Sequence, residues 1–206
     1  YKVLSTPHNP GEAILAGLRD TAVIDESLDI IHGSTVATNA LLERKGARLA
    51  LLTTAGFEDL LEIGRQTRAE LYNIMVEKRN PLIPRELCFG VQERTLFDGK
   101  KAVEVNLPEV DRIVQKLRKS KVESVAICFL HSYANPANEE SVYKRLKPLG
   151  FSLSVSNHVL REYREFERAS TTAINAYVAP LLERYLSRLE KELGANLVRI
   201  MQSNGG

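Results

Sequence analysis

Glu123-Ser124-Val125-Ala126-Ile127-Cys128-Phe129-Leu130 is a nearly continuous apolar run. A short run of this kind reads as a strand buried on both faces, the type found inside a parallel sheet. Before it, Pro108–Lys119 is amphipathic, with Val110, Ile113, Val114 and Leu117 at helical spacing on one face. After it, Pro136–Leu146 reads as a helix and Phe151–Ser156 as another strand. This alternation predicts an α/β fold with a mostly parallel sheet and flanking helices.

The alternation extends towards the N-terminus. Residues 10–20 read as a helix with Pro10 near its start, and Leu28–His32 as a strand. Thr35–Lys45 reads as a helix closed by Gly46 as its C′ residue. Arg48–Thr54 is a short apolar strand, and Phe57–Ile63 is helical. The pattern weakens over residues 67–105, where Asn80-Pro81 and Ile83-Pro84 interrupt it. Asp98-Gly99 marks a turn between Val91–Leu96 and Ala102–Val105, which predicts a small β-hairpin insertion near 85–105.

Residues 162–193 form a long helical pattern. Tyr163, Phe166, Ser170, Ile174, Tyr177, Leu181, Tyr185 and Leu189 make a largely apolar stripe, and Pro180 inside it predicts a kink or break. Tyr1-Lys2-Val3-Leu4-Ser5 and Leu197-Val198-Arg199-Ile200-Met201 both read as strands at the ends. With no initiator Met and a glycine pair closing the chain, the expectation is a fragment of a longer polypeptide.

Composition narrows the function classes. The chain has 206 residues, 44% hydrophobic and 26% charged, an ordinary globular mix. Lys+Arg 28 against Asp+Glu 26 leaves a formal +2, too balanced for a nucleic-acid partner. No stretch reaches the roughly 18 apolar residues of a membrane span, and no signal peptide opens the chain. Cys88 and Cys128 form neither a CxxC nor a zinc pattern. Both sit in apolar runs and read as buried free thiols, which suits a reducing cytoplasm.

Three segments carry candidate chemistry. In His32-Gly33-Ser34-Thr35-Val36-Ala37-Thr38-Asn39 a strand ends, Gly33 permits a tight turn, and Ser34 or Thr35 can cap the next helix. Thr35, Thr38 and Asn39 share one face at the C-terminal end of a strand, where α/β folds place ligands, and helix N-termini favour anions. On spacing alone a plain capped helix with solvated polar residues is the favoured reading. It is neither a Walker A loop nor GxGxxG. Arg161, Glu165, Arg168, Thr172 and Asn175 lie on one arc of the long helix, opposite the apolar stripe. They form either a solvated face or a charged cleft wall in which Glu165 pairs with Arg168. Arg65, in Gly64-Arg65-Gln66-Thr67-Arg68, can clamp an oxyanion or simply end a helix. His131-Ser132-Tyr133 follows the buried strand, but one His beside one Ser is no triad.

These segments also carry a resemblance. His32–Gly46, Thr53–Gln66, Leu130–Pro136, Glu165–Pro180 and Met201–Gly206 resemble, in order, signature blocks of the hydantoinase A / 5-oxoprolinase family, which includes the acetone carboxylase beta subunit. The resemblance implies an actin-like (ribonuclease H-like) ATPase fold of two lobes, with residues 1–196 most of the first and 197–206 opening the second. It implies ATP- and Mg²⁺-driven opening of hydantoins, N-methylhydantoins or 5-oxoproline. Phosphorylating an unreactive lactam oxygen would make it a leaving group, so that water could open the ring. It further implies a cyclic-amide substrate and a hydantoinase B-type partner subunit or fused domain.

In that reading Gly33, Ser34, Thr35, Thr38 and Asn39 bind substrate or phosphate. Arg65 and Arg168 supply positive charge, Glu165 orients Arg168, and Ser203, Asn204 and Gly205 are further contacts. No residue is assigned as catalytic base and no protein metal ligand is expected. The sequence departs from the family in lacking both Asp-x-Gly-Gly-Thr phosphate loops, so the fragment alone is expected to be inactive. Ser34 stands where Thr is usual and Ala69 where Pro is expected. A carboxylase subunit and a non-catalytic metabolite-binding or interface module remain the alternatives.

Overall fold

The computed structural model describes residues 2, 10–21, 29–66, 72, 81–193 and 197–201. In chain order these form α1 (Pro10–Thr21), β1 (Asp29–Gly33), α2 (Val36–Leu42), β2 (Leu49–Thr54) and α3 (Leu60–Ile63). Next come β3 (Cys88–Val91), β4 (Arg94–Thr95), β5 (Lys101–Val103), α4 (Leu107–Lys119) and β6 (Ser124–Cys128). The series ends with α5 (Ala137–Leu146), β7 (Ser152–Val155), α6 (Ser156–Val159), α7 (Glu165–Leu193) and β8 (Leu197–Met201). They divide into two compact units, one drawn from residues up to Lys45 and from Leu181 onward, the other spanning Gly46–Pro180.

The Gly46–Pro180 unit is built on a parallel sheet in the order β3-β2-β6-β7. Every residue of β2 and β6 is buried, as expected for interior strands. The chain enters at β2, adds β3 on one side, then crosses to β6 on the other. The connections therefore reverse direction between the carboxyl ends of β2 and β6. Helix α4 matches its pattern closely. Asn106 accepts from the Glu109 N–H at 3.2 Å as N-cap, Pro108 sits in the first turn, and Lys116, Arg118 and Lys119 complement the C-terminal dipole. Its Val110, Ile113, Val114 and Leu117 are all buried.

The hairpin is present but shorter than expected. β4 and β5 pair antiparallel, with Arg94 opposite Val103, and Gly99 takes the left-handed conformation (φ 83°) in the turn. Cys88–Val91, placed by sequence within the insertion, instead belongs to the main sheet, where pairing with Leu51–Thr54 buries Cys88 and Val91. Residues 67–71 and 73–80 of the stretch where the pattern weakens, with Ala69, lie outside the described residues, as does most of the Tyr1–Ser5 strand reading.

Two helix ends differ from expectation. α2 stops at Leu42, and the left-handed residue after it is Arg44 (φ 53°), not Gly46. Gly46 is small for another reason: a Cβ there would collide with the ring of Tyr177. Helix α7 runs through Pro180 without a break, and the two units divide there. Its faces are partly reversed from the sequence reading. Arg168 and Thr172, expected on a polar face, are 1% and 0% exposed, whereas Ile174 of the apolar stripe is exposed, as is Tyr163 just before the helix. The buried face is lined by Ala169, Ala173 and Ala176 with Tyr177.

In the other unit, β1 and β8 pair in parallel, with His32 opposite Ile200. Leu15 of α1, Ile30 of β1, and Leu189 and Leu193 of α7 form its apolar core, flanked by Ile14 and Leu18.

Candidate functional site

The β1–α2 junction presents the polar surface that the sequence predicts. Gly33, Ser34, Thr35, Thr38 and Asn39 are all exposed, while Ala40 anchors the opposite side of α2. Ser34 Oγ accepts from the Val36 N–H at 3.2 Å, so Ser34 rather than Thr35 ties down the turn. Thr35, the N-cap residue, makes no side-chain cap bond; its Oγ1 accepts from Asn39 Nδ2 at 3.5 Å. With only seven residues, α2 offers a much weaker dipole than the expected Thr35–Lys45 helix. Gly33 lacks a left-handed φ; a Cβ there would lie 3.2 Å from the Met201 methyl on β8.

Two residues to which the sequence reading gave no role at this site join it. His32 precedes Gly33 in β1, and its Nε2 is hydrogen-bonded to Tyr185 Oη of α7 at 2.6 Å. Burial holds the His32 imidazole below its ordinary pKa and pushes the Tyr185 phenol up. In sequence Tyr185 read only as part of an apolar stripe, 153 positions from its partner.

A second candidate surface lies within the Gly46–Pro180 unit. Arg65 and Glu165, both singled out by sequence, line one shallow cavity of about 540 Å³ with Phe57, Leu60, Arg164 and Phe166. Arg65 pairs with Glu167, its Nε donating to Oε1 at 2.6 Å. Arg168 is elsewhere. Its Nη1 donates to the Glu162 carbonyl at 3.0 Å and its Nη2 to the Phe129 carbonyl at 2.5 Å, in place of the expected pair with Glu165. A buried guanidinium is thus satisfied by backbone carbonyls that follow β6 and precede α7, and the Phe129 carbonyl also accepts from the Ser132 N–H at 3.4 Å.

His131-Ser132-Tyr133 is structural. Ser132 is buried against Ser156 Oγ at 3.1 Å, and Ser156 donates to the buried Glu139 carboxylate at 2.6 Å. His131 has a left-handed φ of 55° and bonds Tyr133 through Nδ1 at 3.3 Å. Ser203, Asn204 and Gly205 lie outside the described residues.

A magnesium–nucleotide complex needs carboxylates for the metal and a glycine-rich loop for the phosphates. Among the described residues no group of three or more His, Cys, Asp or Glu can hold a metal ion. The sequence has no Asp-x-Gly-Gly-Thr loop, and the β1–α2 junction offers hydroxyls without a carboxylate. The described residues therefore do not fit such a complex by themselves. Among the described residues no helix is long and apolar enough to cross a membrane.

Comparison with known proteins supplies the frame for these surfaces. The family model described as "Hydantoinase/oxoprolinase N-terminal region" matches residues 1–150, and "Hydantoinase/oxoprolinase" matches residues 168–206. The chain is 35% identical to caprolactamase subunit alpha of Pseudomonas jessenii, over 100% of this chain and 32% of that protein. It is 32% identical to the 5-oxoprolinase of Saccharomyces cerevisiae, over 100% of this chain and 19% of that protein. The crystal structure of the ATP-dependent caprolactamase from Pseudomonas jessenii superposes with a TM-score of 0.87 at 32% identity, covering 100% of this chain and 32% of that one. A nucleotide-free acetone carboxylase shares the fold, with a TM-score of 0.81 at 24% identity over 99% of this chain and 32% of that one. Both structures are consistent with an actin-like α/β fold. The chain thus spans a third or less of the length of these relatives.

Proposed function

This chain belongs to the hydantoinase/oxoprolinase family, and on that premise we propose that it is part of an ATP-dependent hydrolase that opens cyclic amides. The observation that carries the reading is the match of the whole chain to both a caprolactamase subunit and a 5-oxoprolinase. Both relatives are named for cyclic-amide substrates, so the substrate class proposed here is a hydantoin, N-methylhydantoin, 5-oxoproline or related lactam.

The substrate- or phosphate-binding surface proposed is Gly33, Ser34, Thr35, Thr38 and Asn39. Its support is the cluster of exposed hydroxyl and amide groups at the carboxyl end of a parallel strand. Arg65 and Glu165 form a second contact surface, supported by the cavity they share. Ser203, Asn204 and Gly205 are proposed as contacts on the family resemblance alone. Arg168 is not proposed as a ligand contact, because its buried donors face carbonyls.

ATP and Mg²⁺ are proposed as the cofactors of the parent protein, held by residues other than those described. Support for ATP comes from the ATP-dependent caprolactamase to which the chain is similar over its whole length. A hydantoinase B-type subunit or fused domain is the partner proposed, in keeping with a relative named as an alpha subunit. Residues 1–196 are proposed as most of the first lobe and 197–206 as the opening of the second. This lobe division is proposed on the family resemblance alone. A cytoplasmic location is proposed on the two free buried cysteines.

The test is phosphate release by the full-length parent with its partner subunit, given ATP, Mg²⁺ and one of 5-oxoproline, hydantoin, N-methylhydantoin, caprolactam, or acetone plus bicarbonate. Stimulation by a ring compound, with the ring-opened acid as product, is expected. Stimulation by acetone and bicarbonate alone would make the parent a carboxylase. Failure to bind nucleotide would make it a non-catalytic module.

A further inference from the structure

A separate cavity, of about 340 Å³, lies between β3 and α4 in the Gly46–Pro180 unit, at the outer strand of its sheet. Phe89 and Gly90 both line it, although neighbouring strand residues face opposite sides of a sheet, so the cavity straddles the edge of β3. It shares no residue with the Gly33–Asn39 face or the Arg65–Glu165 cavity.

The backbone of β3 leaves one position open there. Along a strand of a parallel sheet, successive residues turn their N–H and C=O groups to alternate sides. The Val91 carbonyl accepts from the Ala55 N–H at 3.0 Å, so Phe89 and Val91 face β2, whereas Cys88, Gly90 and Gln92 face outward. Cys88 is closed: its N–H donates to the Arg85 carbonyl, and its own carbonyl accepts from Arg85 Nη1 at 3.2 Å. Gln92 is closed too: its N–H donates to Glu109 Oε2 at 2.8 Å, and its carbonyl accepts from the Asn106 N–H at 3.1 Å. Of the three, only Gly90 presents an open N–H and C=O. An added strand would find a single residue to pair with, so the edge suits a small molecule better than a peptide.

The side chains bring both signs of charge to this position. Arg112 and Lys116 lie one turn apart on α4, both exposed and both lining the cavity. Neither enters an ion pair among the described residues, and Lys116 Nζ stands 5.9 Å from the centroid of the Phe89 ring. The Glu58 carboxylate lies over Gly90, where a Cβ would collide with its Oε1. Glu58 Oε2 accepts from the Gly56 N–H at 3.0 Å, which leaves Oε1 as an acceptor for a ligand. Arg85 is already engaged by Asp59 and by the Cys88 carbonyl.

We propose that this cavity is a binding site for a small amino acid in its zwitterionic form. Arg112 and Lys116, with the Gly90 N–H, take the carboxylate. Glu58 Oε1, with the Gly90 carbonyl, takes the ammonium. Opening a lactam ring with water yields one molecule that carries both groups. The cavity therefore fits the class of compound that the parent releases, a link that rests on the hydrolase reading above.

The test is calorimetric titration of the full-length parent and its partner subunit with glutamate and 6-aminohexanoate, the ring-opened forms of 5-oxoproline and caprolactam. At least one should bind about tenfold or more tighter than its counterpart without the ammonium, glutarate or hexanoate. Arg112→Gln combined with Lys116→Gln should weaken that binding about tenfold or more and leave the rate of ring opening unchanged. Glu58→Gln keeps an oxygen for the Gly56 N–H and removes the charge, so it should bring the amino acid down to the affinity of its counterpart. If that variant does not fold, the exposed α4 pair carries the test.

No binding, equal binding of the amino acid and its counterpart, or binding that ignores the α4 substitutions would each overturn the proposal. The second outcome would mean a plain anion site, and the third an amino acid held elsewhere in the parent. A parent that opens no ring compound, yet binds an amino acid through Arg112 and Lys116, would sink the hydrolase reading and the link to its product while upholding the site.

Discussion

Arg168 Nη2 donates to the Phe129 carbonyl at 2.5 Å, and both residues are 1% exposed. The same Phe129 gives its N–H to Glu139 Oε1 at 2.8 Å. One backbone residue just past β6 is thus fixed on both sides by buried charged side chains, and the left-handed His131 follows two residues later.

Arg168→Met is therefore expected to act on stability. It leaves the Glu162 carbonyl without its guanidinium donor and the Phe129 carbonyl with only the long Ser132 N–H bond at 3.4 Å, at a cost of about 3 kcal/mol by analogy with broken buried charged hydrogen bonds. Arg168→Lys should recover little, because a single ammonium cannot span two carbonyls as the guanidinium fork does. Urea unfolding of both variants measures this. A midpoint within error of wild type for Arg168→Met would mean that the carbonyls find water instead.

Acid dependence gives a second expectation. Burial raises the Glu93 carboxyl above its ordinary 4.5, despite its bonds to Thr54 and to Asn138 Nδ2 at 2.8 Å. Between the ordinary and the raised value the folded chain holds a proton that the unfolded chain has lost. Stability therefore falls as pH rises through that window and is level above it. Glu139, also raised by burial, adds a slope of the same sign. Glu93→Gln removes one of these slopes, so the stability of the variant relative to wild type should rise with pH from about 4.5 upward. Urea midpoints taken across that range decide it, and a difference that stays constant with pH would count against a raised Glu93.

The parts legible in sequence were those set by local periodicity. α4 combined a cap, an early proline and four apolar positions on one face, and β6 was a continuous apolar run; each appears within a residue or two of its expected place. The faces of α7 were not legible. Thr172 Oγ1 returns to the Arg168 carbonyl at 2.7 Å, and Arg168 reaches carbonyls near β6, so two polar residues are buried by partners that no local pattern contains. β3 was obscured by its brevity and by Gly90, over which the Glu58 carboxylate lies. At the candidate site the exposed Gly33–Asn39 face was legible, whereas the Tyr185–His32 bond depends on two segments meeting through tertiary packing.

Gly46→Ala should destabilise the chain by about 1–3 kcal/mol, the usual range for overpacking a filled site. Its Cβ would meet the Tyr177 ring, which is 7% exposed and has little room to withdraw. The neighbouring backbone is also tied, since the Ala47 N–H donates to the Tyr177 carbonyl at 2.9 Å. Replacing Tyr177 with Leu in the Gly46→Ala background should recover part of the loss in thermal unfolding. No recovery would place the strain in the backbone rather than in the ring contact.

The cysteines should be inert while the chain is folded. Burial pushes both Cys88 and Cys128 up to about 11, so at pH 8 only about one thiol in a thousand is ionised. Maleimide labelling should proceed only as fast as the protein opens. Rapid labelling of either residue at low denaturant would contradict its burial.

Thr38→Ala separates binding from folding most directly. Thr38 is exposed on α2, and alanine is the better helix former by a few tenths of a kcal/mol, so stability should hold or rise slightly. If the Gly33–Asn39 face touches the reacting substrate, kcat/KM of the full-length parent should fall by about 10²-fold, as for loss of one transition-state contact. Arg168→Met predicts the opposite pattern, a lower melting temperature with the remaining folded fraction retaining its substrate preference. A Thr38→Ala parent within about twofold of wild type would remove this face from the site and leave the Arg65–Glu165 cavity as the surface to examine.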